Sequence, residues 1–177
     1  MIWLLWIVGA LFALIAVVVV IGMMLPQNHQ ASVSAHFTQP PETIFGTIAS
    51  WRGFPTWRSG LKSVTERQGE GGRESWIEDT SQGRMPLEVI EIDPPRRLVA
   101  KIADPKLPFG GTWTWVIVPT GDGCTLTITE DGEIYNPVFR LMARFVFGYG
   151  GTMKRILGDL QQKFAESGPA RVRSGPA

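Results

Sequence analysis

The chain has 177 residues, with 17 basic and 16 acidic side chains, a net charge of +1 and one cysteine. That balance gives no basic stripe of the kind that tracks nucleic acid and no acidic tail, and a lone cysteine excludes an intrachain disulfide. About 150 residues follow the first apolar run, which is one domain's worth of chain.

Residues 2–25 carry no charged side chain and no proline. About 20 apolar residues cross a bilayer core as a helix, so this run is long enough to span with some tilt. A cleaved secretory signal has a basic leader, an apolar stretch of about 7–15 residues and a small-residue cleavage site. Here no Lys or Arg precedes the run, and the best cleavage-like triplet, Val33-Ser34-Ala35, falls inside the first predicted strand. An uncleaved, single-pass anchor is therefore expected, with Trp3 and Trp6 at one membrane interface, where indoles prefer to sit. The first basic residues, Arg52, Arg58, Lys62 and Arg67, all follow the helix. They weakly favour a cytosolic domain but lie far from the span, so either side stays open at this point.

Residues 26–29 read as a short linker, and a folded domain is expected over 30–166. Residues 31–38 alternate like a half-buried strand. Pro40-Pro41-Glu42 then opens a helix carrying Ile44, Phe45 and Ile48, with proline in the first turn and a carboxylate near the positive end of the dipole. A short irregular element holds Trp51, Phe54 and Trp57. Six strands are expected at 61–68, 73–80, 84–93, 97–103, 112–119 and 125–135, separated by glycine-, proline- and aspartate-rich turns. Such short, regularly spaced strands indicate an antiparallel sheet. From Asn136-Pro137 the period changes: Val138, Met142, Phe145, Tyr149, Met153, Ile156, Leu160 and Phe164 form one stripe of a long helix. Gly148, Gly150 and Gly151 predict a kink or short break in it. Residues 167–177 have the composition of a disordered tail.

The opening Val33-Ser-Ala-His-Phe-Thr-Gln-Pro-Pro-Glu-Thr-Ile-Phe45, the segment Phe54-Pro-Thr-Trp-Arg58, Trp113-Thr-Trp115, Gly123-Cys-Thr-Leu-Thr-Ile-Thr-Glu130 and Asn136-Pro-Val-Phe-Arg140 resemble the START-like, helix-grip (SRPBCC) superfamily. Within it they look like the polyketide cyclase/dehydrase-like branch. The likeness spans residues 30–165. It implies an α+β helix-grip fold: an antiparallel curved sheet wrapped around a long C-terminal helix, with an apolar cavity between them. Architecture is shared in this superfamily far more widely than chemistry.

Seven tryptophans and nine phenylalanines suit a roomy apolar interior. Trp57, Trp76, Trp113, Trp115, Tyr149 and Met153 are the candidates to line it, since large aromatics with polar tips bind by area and orient by a few polar atoms. Plain core packing is the competing role for each of them. Trp113, Trp115 and Ile117 share one strand face and Thr112, Thr114, Val116 and Val118 the other; periodicity alone leaves open which points inward.

The chain offers little ready chemistry. His29 and His36 are its only histidines, no ligand spacing exists, and neither a metal site nor a cofactor motif is expected. Glu78, Glu88, Glu91 and Glu130 lie in predicted strands, and one of them inside an apolar cavity would titrate high enough for acid–base work. Alternation puts Glu91 with Leu87 and Val89, and Glu130 with Leu126 and Ile128; these two are the weak catalytic candidates, with a rim or salt-bridge role as the competing reading. Three functions follow. The leading one is a membrane-anchored module that binds a hydrophobic small molecule or lipid. The second is a cyclase/dehydrase-like enzyme acting on an aromatic or polyketide-type substrate, and the third an interaction domain with a filled core.

Overall fold

Strand alternation and turn chemistry produce a seven-stranded, wholly antiparallel sheet in the computed structural model, which describes residues 2–81 and 83–166. The strands are β1 (Asn28–Phe37), β2 (Leu61–Gln68), β3 (Glu74–Thr80), β4 (Gly83–Asp93), β5 (Arg97–Ile102), β6 (Phe109–Thr120) and β7 (Gly123–Ile134), in the order β1-β7-β6-β5-β4-β3-β2. The first strand therefore closes on the last, and β2 to β7 run as a meander. Helix α2 (Pro41–Ala49) and a 3₁₀ turn over Trp51–Thr56 connect β1 to β2. The result is the curved α+β helix-grip arrangement. The tail expected over 167–177 lies outside the described residues.

One face of the sheet is buried against helix α4, Gly151–Glu166. On β7 the buried residues Cys124, Leu126 and Ile128 alternate with more exposed threonines. Register pairs Leu126 and Ile128 with Ile117 and Trp115 of β6, whose face Trp113 continues, so the indole face points inward and the threonine–valine face outward. Met153, Ile156, Leu157 and Leu160 of α4 meet the row, and Ile44, Phe45 and Ile48 of α2 close one side; all belong to one cluster. Burying a side chain of this size contributes about 1.5–3 kcal/mol, so this cluster dominates the domain's stability.

Three elements differ from the periodic reading. Strand β6 starts at Phe109, because Gly110 and Gly111 pair with Glu133 and Gly132 inside the ladder instead of forming a turn. Strand β1 starts at Asn28, so His29 is a strand residue. The long C-terminal helix is two helices: α3 (Pro137–Met142) continues into a π turn over Ala143–Phe147, and α4 follows. The break falls at the glycines, with Gly148 at φ 68°, a conformation that glycine adopts without steric cost. The apolar stripe divides with it. Met153, Ile156 and Leu160 grip the sheet, whereas Val138 and Phe145 are exposed.

The apolar run at the start forms α1, Ile2–Met24, a helix long and apolar enough to cross a membrane. Its only residues that lose exposure are Val18, Val19 and Gly22, on the side where α3 packs. The contact is close: a Cβ on Gly22 would lie 2.1 Å from the Pro137 carbonyl oxygen. Arg140, 5% exposed, fastens it. Its guanidinium donates to the carbonyls of Gly22 (3.2 Å) and Leu25 (2.8 Å) at the end of α1, and to those of Ile134 (3.0 Å) and Tyr135 (3.1 Å) at the end of β7. An Asn136 side-chain cap on the Phe139 N–H starts α3. The turn between α1 and β1 is thus pinned to the domain.

Candidate functional site

The four strand glutamates have four different environments, and these locate the chemistry. Glu88 lies on the outer face beside Ser75 and is buried beneath the turn at Glu70–Gly72. The Glu70 N–H (3.1 Å), Arg73 (3.2 Å) and Lys101 (3.4 Å) surround it. That backbone donor, with the two cations, holds its carboxyl below the usual range against the opposing effect of burial.

Glu78 faces inward and is 1% exposed. Arg58 grips both of its oxygens, with Nη2–Oε2 at 3.0 Å, and the Trp76 indole N–H donates to it at 3.2 Å. Arg58 also lies 4.8 Å from the Phe54 ring centre. A carboxylate so paired is a structural element of the core.

Glu91 is exposed and paired with Arg97 at 2.8 Å. The ladder with β5 slips between Val89 and Glu91, a bulge that shifts the alternation beyond Val89. Glu91 therefore does not continue the inward row of Leu87.

Glu130 is the exception. It continues the inward row of Leu126 and Ile128, with Ala31 of β1 and Trp113 of β6 as its register partners. No hydrogen bond or ion pair reaches its carboxylate among the described residues. Burial alone raises its pKa to about 7. A half-buried acid without a partner is costly, and such sites are enriched where function requires them.

The surroundings of Glu130 are set by the strand ends nearest α1. Ala31 lies between His29 and Val33 on the same face of β1. The His29 ring stacks on Tyr149 with centroids 4.0 Å apart and planes at 17°. Its Cε1 and Nε2 would lie within 2.4 Å of a Cβ on Gly132, so only glycine admits the ring there. The Nδ1 of His29 is buried without a partner, and desolvation lowers its pKa. Gly150 sits over Val33, where a Cβ would be 3.6 Å from Cγ2. The break between α3 and α4 thus crosses β1 from His29 to Val33, and Ala31, the neighbour of Glu130, lies between those two residues.

Sequence reasoning placed His29 in the linker and missed this stack. The alternation of His29 with Ala31, Val33 and Ala35 was the available signal.

The predicted lining residues divide between two zones. Trp76, Trp113, Trp115 and Met153 are buried in the common core, with Trp57 partly buried against it. Trp76 stacks on Trp51 at 5.8 Å and 5°, and Trp113 lies 6.0 Å from Trp115. Tyr149 is brought instead to the α1 end, over His29. Two open surface grooves lie away from the space between α4 and the sheet. One, about 270 Å³, lies beside α3 between Pro108, Asn136, Val138, Phe139 and Met142. The other, about 340 Å³, is a polar groove between Arg52, Arg67 and Arg73. Among the described residues no cluster of three His, Cys, Asp or Glu side chains has the geometry to hold a metal ion.

Comparison with known proteins supports the architecture. The family model described as polyketide cyclase/dehydrase and lipid transport matches residues 28–165. A START superfamily protein from Mycobacterium smegmatis is similar at 18% identity and TM-score 0.63, over 78% of this chain and 99% of that one. The di-domain ARO/CYC StfQ of the steffimycin biosynthetic pathway gives 17% identity and TM-score 0.61, over 80% of this chain. This chain spans about half of that protein, 52%. Norcoclaurine synthase from Thalictrum flavum gives 14% identity and TM-score 0.60, over 78% of this chain and 87% of that one. At these identities the likeness shows the fold. No curated protein matches.

Proposed function

Because the chain belongs to the polyketide cyclase/dehydrase and lipid transport family, we propose that it is a membrane-anchored module that binds a hydrophobic small molecule or lipid inside the helix grip. Helix α1 is the anchor. The observation that carries the reading is Glu130: an acid on the inward face, in one row with Leu126 and Ile128, without a partner among the described residues, at the end of the sheet nearest α1. Binding sites of this kind combine apolar area with a few polar atoms that orient the ligand.

Entry is by the joint between α3 and α4. Gly148, Gly150 and Gly151 make that joint the least constrained part of the grip, and Tyr149 holds it down by stacking on His29. Lifting Tyr149 uncovers the row of Ala31 and Glu130 and opens space toward Trp113, Trp115 and Met153, with Trp76 and Trp57 on the far side. In the protonated form favoured below about pH 7, Glu130 donates a hydrogen bond to a carbonyl or hydroxyl oxygen of the ligand.

The test uses the full chain purified in detergent and in nanodiscs, examined by native mass spectrometry and organic extraction. A co-purifying or exchangeable hydrophobic ligand, displaced by Met153→Trp, is expected. Absence of any such ligand in both preparations overturns the reading.

One observation favours the enzymatic reading, a cyclase/dehydrase-like activity on an aromatic or polyketide-type substrate. A carboxyl titrating near neutrality is matched to proton transfer at physiological pH. On that reading Glu130→Gln abolishes turnover while the ligand still binds, and Glu91→Gln, at an exposed ion pair, leaves the rate unchanged.

A further inference from the structure

The segment from Val138 to Phe147 exposes more large apolar side chains than the rest of the folded domain. Phe145, Val146 and Phe147 are 68%, 61% and 63% exposed, and Val138 and Phe139 are also open to solvent. A run of this kind on a soluble surface marks a contact site. Elsewhere in the domain the large exposed apolar residues are Ile90, Ile92 and Val118, scattered on strands, and Tyr135 just before α3.

Its position identifies what it contacts. Helix α3 packs on α1 through the Pro137–Gly22 approach and the Arg140 clamp. The side of α1 that loses exposure runs from Val18 to Gly22, about 6 Å of helix at 1.5 Å per residue. The exposed apolar segment therefore starts beside the last turns of α1, where α3 packs on that helix, and runs on into the π turn. We propose that residues 138–147 lie in the bilayer interface as a second, non-spanning membrane contact. Phe145, Val146 and Phe147 reach the boundary between headgroups and acyl chains, about 5–10 Å deep. Arg144, exposed within the same turn, extends its charge to the headgroups while its stem lies along the apolar surface.

This inference rests on α1 being a membrane span, and it deepens the proposed function: the joint at Gly148–Gly151 would open at the lipid surface itself. A hydrophobic ligand then passes from bilayer to grip without crossing water.

The test places a nitroxide label at single cysteines in the full chain in nanodiscs, in a Cys124→Ala background. The sites are Val8→Cys in mid-span, Val146→Cys in the segment, and Val118→Cys at the far end of the sheet. Each is read by accessibility to molecular oxygen against a water-soluble nickel chelate. Expected is a several-fold preference for oxygen at residues 8 and 146 and the reverse at residue 118. A chelate-accessible residue 146 with a lipid-exposed residue 8 overturns this inference and leaves the anchor intact. A chelate-accessible residue 8 overturns both. Dipolar broadening at residue 146, relieved by diluting labelled with unlabelled protein, assigns the segment to a second copy of the chain and also overturns the membrane contact.

Discussion

Arg140 donates to the carbonyl oxygen of Leu25 at 2.8 Å, across more than a hundred residues of sequence. The same guanidinium binds the carbonyl of Gly22 and two carbonyls at the end of β7. It therefore caps the last turn of α1, where backbone acceptors are otherwise free, and locks that turn to the sheet. On the proposed reading of α1 as an anchor, this clamp would set the direction in which the domain faces the membrane.

Replacing Arg140 by methionine keeps the stem and removes the donors. Four carbonyls then lose their partner, which costs about 2–4 kcal/mol. Thermal denaturation of the full chain in detergent should show a transition lowered by several degrees, together with faster proteolysis between residues 25 and 28. An unchanged transition and cleavage rate would show that the clamp does not hold α1 to the domain.

Gly22→Val tests the approach of α1 to α3 separately. The new side chain meets the Pro137 backbone, which cannot yield as a flexible side chain would. Hydrogen exchange should rise in α3 and the π turn, while the amides of β6 and β7 stay protected. Uniform protection in the variant would sink the prediction.

Glu130 gives the domain a specific pH dependence. Its carboxyl titrates near 7 in the folded chain against an ordinary value of 4.5. Below pH 4.5 both states are protonated and the group has no effect. Between 4.5 and 7 the unfolded chain ionises while the folded one resists, so stability falls as pH rises; above 7 the loss is complete. Its size is on the order of 2 kcal/mol once residual contact with water is allowed for. Glu130→Gln should therefore stabilise the protein at pH 8 relative to the parent and have little effect at pH 4.5. Parallel melting curves at the two pH values would contradict this.

The buried pair Arg58–Glu78 predicts a non-additive result. Arg58→Met leaves the buried Glu78 side chain without its guanidinium partner, at a cost of about 3–5 kcal/mol. Adding Glu78→Leu should recover most of that loss, because neither charge then requires compensation. Chemical denaturation of the two variants gives the comparison, and equal destabilisation in both would exclude the assigned coupling.

How much of this was legible beforehand depends on the range of the interaction. The glycine break, the two helix starts at proline and most of the strands followed from local period and turn chemistry. The inward face of β6 did not, because Trp113 and Thr114 sit on faces of similar polarity; register with the buried Leu126 row of β7 selected it. Glu91 and Glu130 looked equivalent by alternation. A bulge at one and an unbroken ladder at the other separated them, and a bulge depends on the partner strand.

The sequence alone determined that a long uncharged helix precedes an antiparallel sheet and a gripping helix, since hydrophobic length and periodicity are properties of neighbouring residues. Tertiary structure decided which carboxylate was left without a partner, since Arg58, Arg73, Lys101 and Arg97 reach Glu78, Glu88 and Glu91 only through folding. It also decided that the stripe beginning at Val138 splits, with Val138 and Phe145 left exposed and its second half on the sheet. That outcome rests on Arg140 and Gly22, whose contacts span most of the chain and leave no trace in any local pattern.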